Sequence, residues 1–124
     1  MKDYVHLPDA ELEVMQALWR QEEYPASSAG LMEGLAGRHW QLPTLLKLLS
    51  RLEERGFVER TKSGRGNLYR PLVAEDDYLA AESKSFLQRL HGGSLPSLCA
   101  ALISSRAVGE KEIAELEEIL KGGE

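Results

Sequence analysis

Apolar residues recur at helical spacing along most of the chain. The clearest stripe lies between Trp40 and Gly56, WQLPTLLKLLSRLEERG, where Leu45, Leu48, Leu49 and Leu52 stand at i, i+3, i+4 and i+7. One face of a short helix is therefore expected to be buried. Stepping about 100° per residue from Leu45 puts Lys47, Ser50 and Glu54 near the opposite pole, flanked by Thr44, Leu46 and Arg51. Pro43 suits the first turn and Gly56 the stop.

The same period predicts two helices upstream. Pro8-Asp9 opens the first, with Asp9 or its neighbour as cap, Glu11 and Glu13 near the positive helix end, and Leu12, Met15, Leu18 and Trp19 facing inward. A polar connection from Gln21 to Ala26 contains Pro25. Ser27 or Ser28 then caps a second helix that runs to Leu35 and turns Leu31, Met32 and Leu35 inward. After Gly56 the period changes. Phe57 to Thr61 and Asn67 to Arg70 alternate apolar and polar residues around Lys62-Ser63-Gly64-Arg65-Gly66, a hairpin signal. Three helices followed by a basic hairpin predict a winged helix-turn-helix over residues 1–73, with the third helix in a DNA major groove and the wing along the backbone or minor groove.

Helical periodicity returns in residues 74–124. A helix from Ala74 to Leu90, capped by Glu75-Asp76-Asp77, aligns Leu79, Ser83, Phe86 and Leu90. Gly92-Gly93 breaks it. Ser94 caps a helix bearing Leu95, Leu98, Cys99, Leu102 and Ile103, and Gly109 precedes a last one with Ile113, Leu116, Ile119 and Leu120. These stripes have too few residues for a core of their own. They are best buried against a second copy, as a helical dimerisation arm, the alternative being that they fold back on the N-terminal domain. The expected dimer interface is Leu79, Phe86, Leu90, Leu95, Leu98, Leu102, Ile113, Leu116 and Leu120. The fold class is mostly α.

Composition narrows the class without changing this picture. At 124 residues, 43% hydrophobic and 28% charged, the chain is one ordinary domain or a small domain with an arm. It has no apolar run of membrane-spanning length and no signal-peptide pattern, so a cytoplasmic protein without membrane insertion is expected. One cysteine makes no internal disulfide, and His6, His39 and His91 have no metal-ligand spacing. Charge is more informative. Net charge is −5, yet residues 38–70 hold 8 basic and 3 acidic side chains, against 2 and 7 in residues 1–37 and 5 and 10 in residues 71–124. A basic centre in an acidic background is either a solvated face or a local footprint for phosphate.

No nucleophile, metal or phosphate-loop motif is present, so neither an enzyme nor a cofactor is expected. Ser63-Gly64-Arg65-Gly66 sits between strands and reads as a wing turn. Cys99, on an apolar stripe, reads as an inert thiol. DNA contact suits the remaining chemistry. Thr44 and Ser50 donate to phosphate or a base edge, Lys47 reaches either, and Arg51 and Arg55 pair with the backbone. Leu46 faces either a thymine methyl or a neighbouring helix. In the wing, Lys62, Arg65 and Arg70 are candidate phosphate or minor-groove contacts, and Tyr69 is either a core ring or a phosphate donor. The rivals are a winged-helix protein-interaction module and a ligand-responsive repressor.

Several segments resemble the penicillinase repressors, the BlaI/MecI/CopY family. They are DAELEVMQALW, PTLLKLLSRLEERGFVER, GRGNLYRPLV, and GGSLPSLCAALI followed by EIAELEEIL, and together they span about Leu7 to Leu120. The resemblance implies a homodimeric winged-helix repressor on a palindromic double-stranded DNA operator, often with TACA/TGTA half-sites, relieved by a membrane sensor protease that leads to cutting within the dimerisation helices. It puts the DNA-contacting threonine on Thr44 and the family's Arg-Leu pair on Arg51 and Leu52. This chain departs from the family at Pro43 and Lys47, beside the first contact and on the DNA face. The Asn-Phe cleavage pair of antibiotic-responsive members falls on Ala101 and Leu102. The C-terminal cysteine cluster of the copper-responsive branch has no counterpart.

Overall fold

In the computed structural model, which describes residues 4–64 and 66–122, the chain begins with helix α1 (Asp9–Trp19). Pro8 occupies the cap position and has no side-chain acceptor, so the expected cap by Asp9 is not made. The buried face is Glu11, Val14, Met15, Ala17 and Leu18, with Leu12 and Trp19 half-buried at its edges. This rotates the expected stripe. Trp19 sits at the margin because its indole N–H donates to the Val73 carbonyl at 2.9 Å. Strand β1 (Ala26–Ser27) follows, two residues too short to show an alternation in sequence. Helix α2 (Ser28–Gly34) starts on Ser27, whose hydroxyl accepts from the Gly30 N–H at 3.1 Å.

Helix α3 (Leu42–Glu54) buries Leu45, Leu48, Leu49 and Leu52 and has Pro43 in its first turn, as the pattern requires. It ends where Gly56 takes φ +81°, in the left-handed region that a side chain disfavours. Strands β2 (Val58–Ser63) and β3 (Gly66–Pro71) form the hairpin, and the antiparallel sheet has the order β1-β3-β2. In β2–β3 the register pairs Glu59 with Arg70, Arg60 with Tyr69 and Lys62 with Asn67. The core lies between the three helices and this sheet, closed by Phe57, Val58 and Tyr69.

Two compact units divide the chain between Glu82 and Ser83, within helix α4 (Glu75–His91). The first unit thus runs past residue 73, because Tyr78 is buried in it. Tyr78 packs with Tyr4, Trp19 and Phe57 at ring-centroid distances of 5.6 to 6.4 Å. Its hydroxyl accepts from the Leu7 N–H at 2.9 Å, and Glu82, one turn on, meets His6 Nδ1 at 2.5 Å. Removing the hydroxyl leaves a buried amide without an acceptor. Tyr78→Phe should therefore cost about 1–3 kcal/mol in urea unfolding. Burial, helped by nearby Glu82, also raises the phenol above its usual 10.0. The neutral phenol is favoured in the folded state, so this contribution is complete below pH 10.0 and is lost as pH rises through the raised value. Wild-type stability should fall above that pH, and less steeply in Tyr78→Phe.

The second unit holds the rest of α4, helix α5 (Leu95–Ser104) and helix α6 (Glu110–Gly122). Ser94 caps α5 by accepting from the Ser97 N–H at 3.1 Å, and Glu112 accepts from the Gly109 N–H at the start of α6. Among the described residues of this unit none is buried. Leu98, Cys99 and Ile113 are half-buried, at or beside a shallow groove between α5 and α6, whereas Phe86, Leu90, Leu95, Leu102, Leu116 and Leu120 are exposed. Ile119 is 68% exposed and Leu90 60%.

Candidate nucleic-acid interface

The helical period that buries four leucines of α3 also fixes what it displays. Thr44, Leu46, Lys47, Ser50 and Arg51 are all exposed along its outer side. Two ion pairs flank this helix, one in the turn before it and one at its end. At its start, Arg38 meets Glu13 of α1 at 2.9 Å and lies 5.0 Å over the Trp40 ring. At its end, Arg55 Nε donates to Glu11 at 2.7 Å, and Glu11 is 1% exposed.

The second pair gives Arg55, a candidate contact to a DNA backbone, a structural role as well: its Nε is turned to the buried carboxylate of α1 and braces the end of α3. Arg55→Ala would strand that carboxylate. A loss of about 2–3 kcal/mol in urea unfolding is expected, below the full cost of breaking a buried pair because the arginine is partly exposed.

Strand alternation sorts the wing. Val58 and Tyr69 are buried, so Arg60, Lys62 and Asn67 share the sheet face turned toward α3. Arg60 Nε confirms this by donating to Glu53 of α3 at 3.2 Å. Arg70, opposite Glu59 in the register, lies on the other face and does not converge with α3. Tyr69 is 3% exposed, which makes it a core ring. Arg65 lies outside the described residues. Sequence reasoning missed Glu53, Arg60 and Asn67, although the two-residue period from buried Val58 points to Arg60.

Among the described residues, Lys47, Arg51, Lys62 and Arg70 form no ion pair with the chain. An outer helix face with two hydroxyls, two free cations and one leucine, beside a strand carrying Lys62, offers donors to phosphate and to base edges. Among the described residues no cluster of His, Cys, Asp and Glu is arranged for a metal, and no helix is long and apolar enough to cross a membrane. Ala101 and Leu102 lie in exposed α5.

A family model described as penicillinase repressor matches residues 7–122. The penicillinase repressor of Bacillus licheniformis is 32% identical over 121 residues, covering 98% of this chain and 94% of its own. The methicillin resistance regulatory protein MecI of Staphylococcus aureus (strain N315) is 30% identical over 114 residues, covering 92% of each chain. Among solved structures, the monomeric form of Bacillus licheniformis BlaI in complex with the blaP half-operator aligns at a TM-score of 0.51 and 32% identity, covering 63% of this chain and 94% of that one. The six helices and antiparallel wing described above, together with a match over nearly the whole sequence, place this chain in the penicillinase repressor family.

Proposed function

We propose that this chain is a sequence-specific, DNA-binding transcriptional repressor that works as a homodimer on a palindromic operator. The observation that carries the reading is the outer face of α3, where Thr44, Lys47, Ser50 and Arg51 stand exposed and the two cations form no ion pair among the described residues. The relative solved with a half-operator, at 32% identity, supports it. In this reading Thr44, Leu46, Lys47 and Ser50 meet base edges, while Arg51 and Lys62 meet phosphates. Arg70 meets backbone from the far face of the wing.

The helices beyond the winged unit supply the dimer, because their leucines and isoleucines have no core of their own. Two arms joined on a two-fold axis present two α3 helices to two half-sites. The protein acts on DNA in the cytoplasm. Relief of repression is coupled to a membrane sensor protease or a stress signal acting on the arm, with Ala101 and Leu102 as the candidate cleavage region.

The test is a fluorescence-anisotropy titration of the full chain on duplex DNA from upstream of its own gene, repeated across salt concentrations. Binding on the order of a thousandfold tighter than to a scrambled duplex, and weakening steeply with salt, is expected. Equal affinity for both duplexes would overturn the reading.

A further inference from the structure

Between α3 and the wing lies a slot of about 230 Å³ lined by Leu46, Ser50, Glu53, Arg60, Asn67 and Tyr69. Its composition is unusual for a surface that meets DNA, because it includes a carboxylate. Glu53 does not stand alone there. Arg60 Nε lies 3.2 and 3.5 Å from its two oxygens, with both side chains partly exposed. Only Nε is engaged, so the terminal nitrogens of the guanidinium have no hydrogen-bond partner among the described residues. A guanidinium has five donors in a fixed fork, and one held by its Nε edge still offers the others.

The other polar groups of the slot's lining residues are neutral donors, the Ser50 hydroxyl, the Asn67 amide and the Tyr69 phenol, and Lys62 sits across the ladder from Asn67 on the same sheet face. Counting Lys62, the charge around the slot sums to one positive. When a helix occupies the major groove and the adjacent hairpin lies beyond its edge, one sugar-phosphate strand must run between them. We propose that this slot receives one backbone phosphodiester of the operator, bound by Arg60, with Glu53 acting as the counter-charge that holds Arg60 in position. The inference rests on the repressor reading above and adds Arg60 as a binding residue and Glu53 as a positioning residue.

A specific pattern of variants follows. Arg60→Ala removes the phosphate donor and also leaves the Glu53 carboxylate bare against the strand. It should weaken operator binding by about tenfold or more, since a charge-assisted hydrogen bond is lost and a repulsion is exposed. Glu53→Gln keeps a side-chain oxygen that can accept from Arg60 Nε and removes the charge that repels the strand, so it should bind as well as wild type or better. The double variant should recover at least about threefold of the loss seen in Arg60→Ala, the expected scale for removing one screened repulsion. The pair is exposed, and melting curves should show all three variants folded.

The decisive arm uses duplexes in which a single phosphate per half-site is replaced in turn by a neutral methylphosphonate. At one position wild type and Arg60→Ala should bind equally. If wild type does not bind the unmodified operator, the repressor reading itself fails. If wild type binds and Arg60→Ala stays within twofold, or if Glu53→Gln weakens binding as much as Arg60→Ala and the double variant adds nothing, the pair is only a brace for the wing and the phosphate assignment is overturned.

Discussion

Leu90→Glu combined with Ile119→Glu and Leu120→Glu should turn the chain into a monomer and weaken binding to an intact palindrome by about a hundredfold or more, leaving half-site affinity unchanged. The three side chains are 60%, 68% and 58% exposed in the single chain, so their replacement removes little packing within it. Glutamate is a good helix former, and α4 and α6 should persist. In the proposed dimer the same three positions would place charge in an apolar contact, where each buried leucine or isoleucine would contribute about 1.5–3 kcal/mol. Sedimentation velocity reads the first effect and anisotropy on full and half operators the second. If these helices instead folded back on their own winged unit, the variant would stay at the wild-type molecular mass.

Lys47→Ala with Arg51→Ala carries the other large effect. Both cations lie on the outer face of α3, and neither forms an ion pair among the described residues, so the fold should not respond. Each contact is expected to be worth about 1–3 kcal/mol, and the proposed dimer would carry each one twice. Operator affinity should drop at least a hundredfold on that scale, and the slope of log affinity against log salt should shrink by roughly two, because Arg51 is the phosphate contact of the pair and is present in both subunits. The sedimentation profile should not change. A winged-helix module that binds protein instead of DNA would show no salt-dependent operator binding to lose.

The repeating elements were legible in the sequence. Leu45, Leu48, Leu49 and Leu52 announce α3 and its outer face, and the switch from a period near four to a period of two at Phe57 announces the wing. The apolar stripes of α5 and α6 are visible too, and among the described residues none of them is buried. What stayed hidden depends on partners distant in sequence. Glu11 reads as an acid at a helix start, and only the arrival of Arg55, 44 residues later, makes it a buried anchor. Tyr78 stands in an acidic helix turn, and its burial follows from Leu7, Trp19 and Phe57 meeting there. β1 exists because β3 offers it a ladder, with no local pattern of its own. At the interface the same logic ties Arg55 to Glu11 and brings Arg60 beside α3, which needed the register to place it.

The central claim is that two α3 helices read two half-sites at once. Its most direct test is a stoichiometric titration of the full chain against a palindromic operator duplex held well above its dissociation constant, alongside the same duplex with one half-site scrambled. Two chains per intact duplex, and about a hundredfold or greater loss of affinity on scrambling one half, are predicted. One chain per duplex, or indifference to the scrambled half, would contradict it.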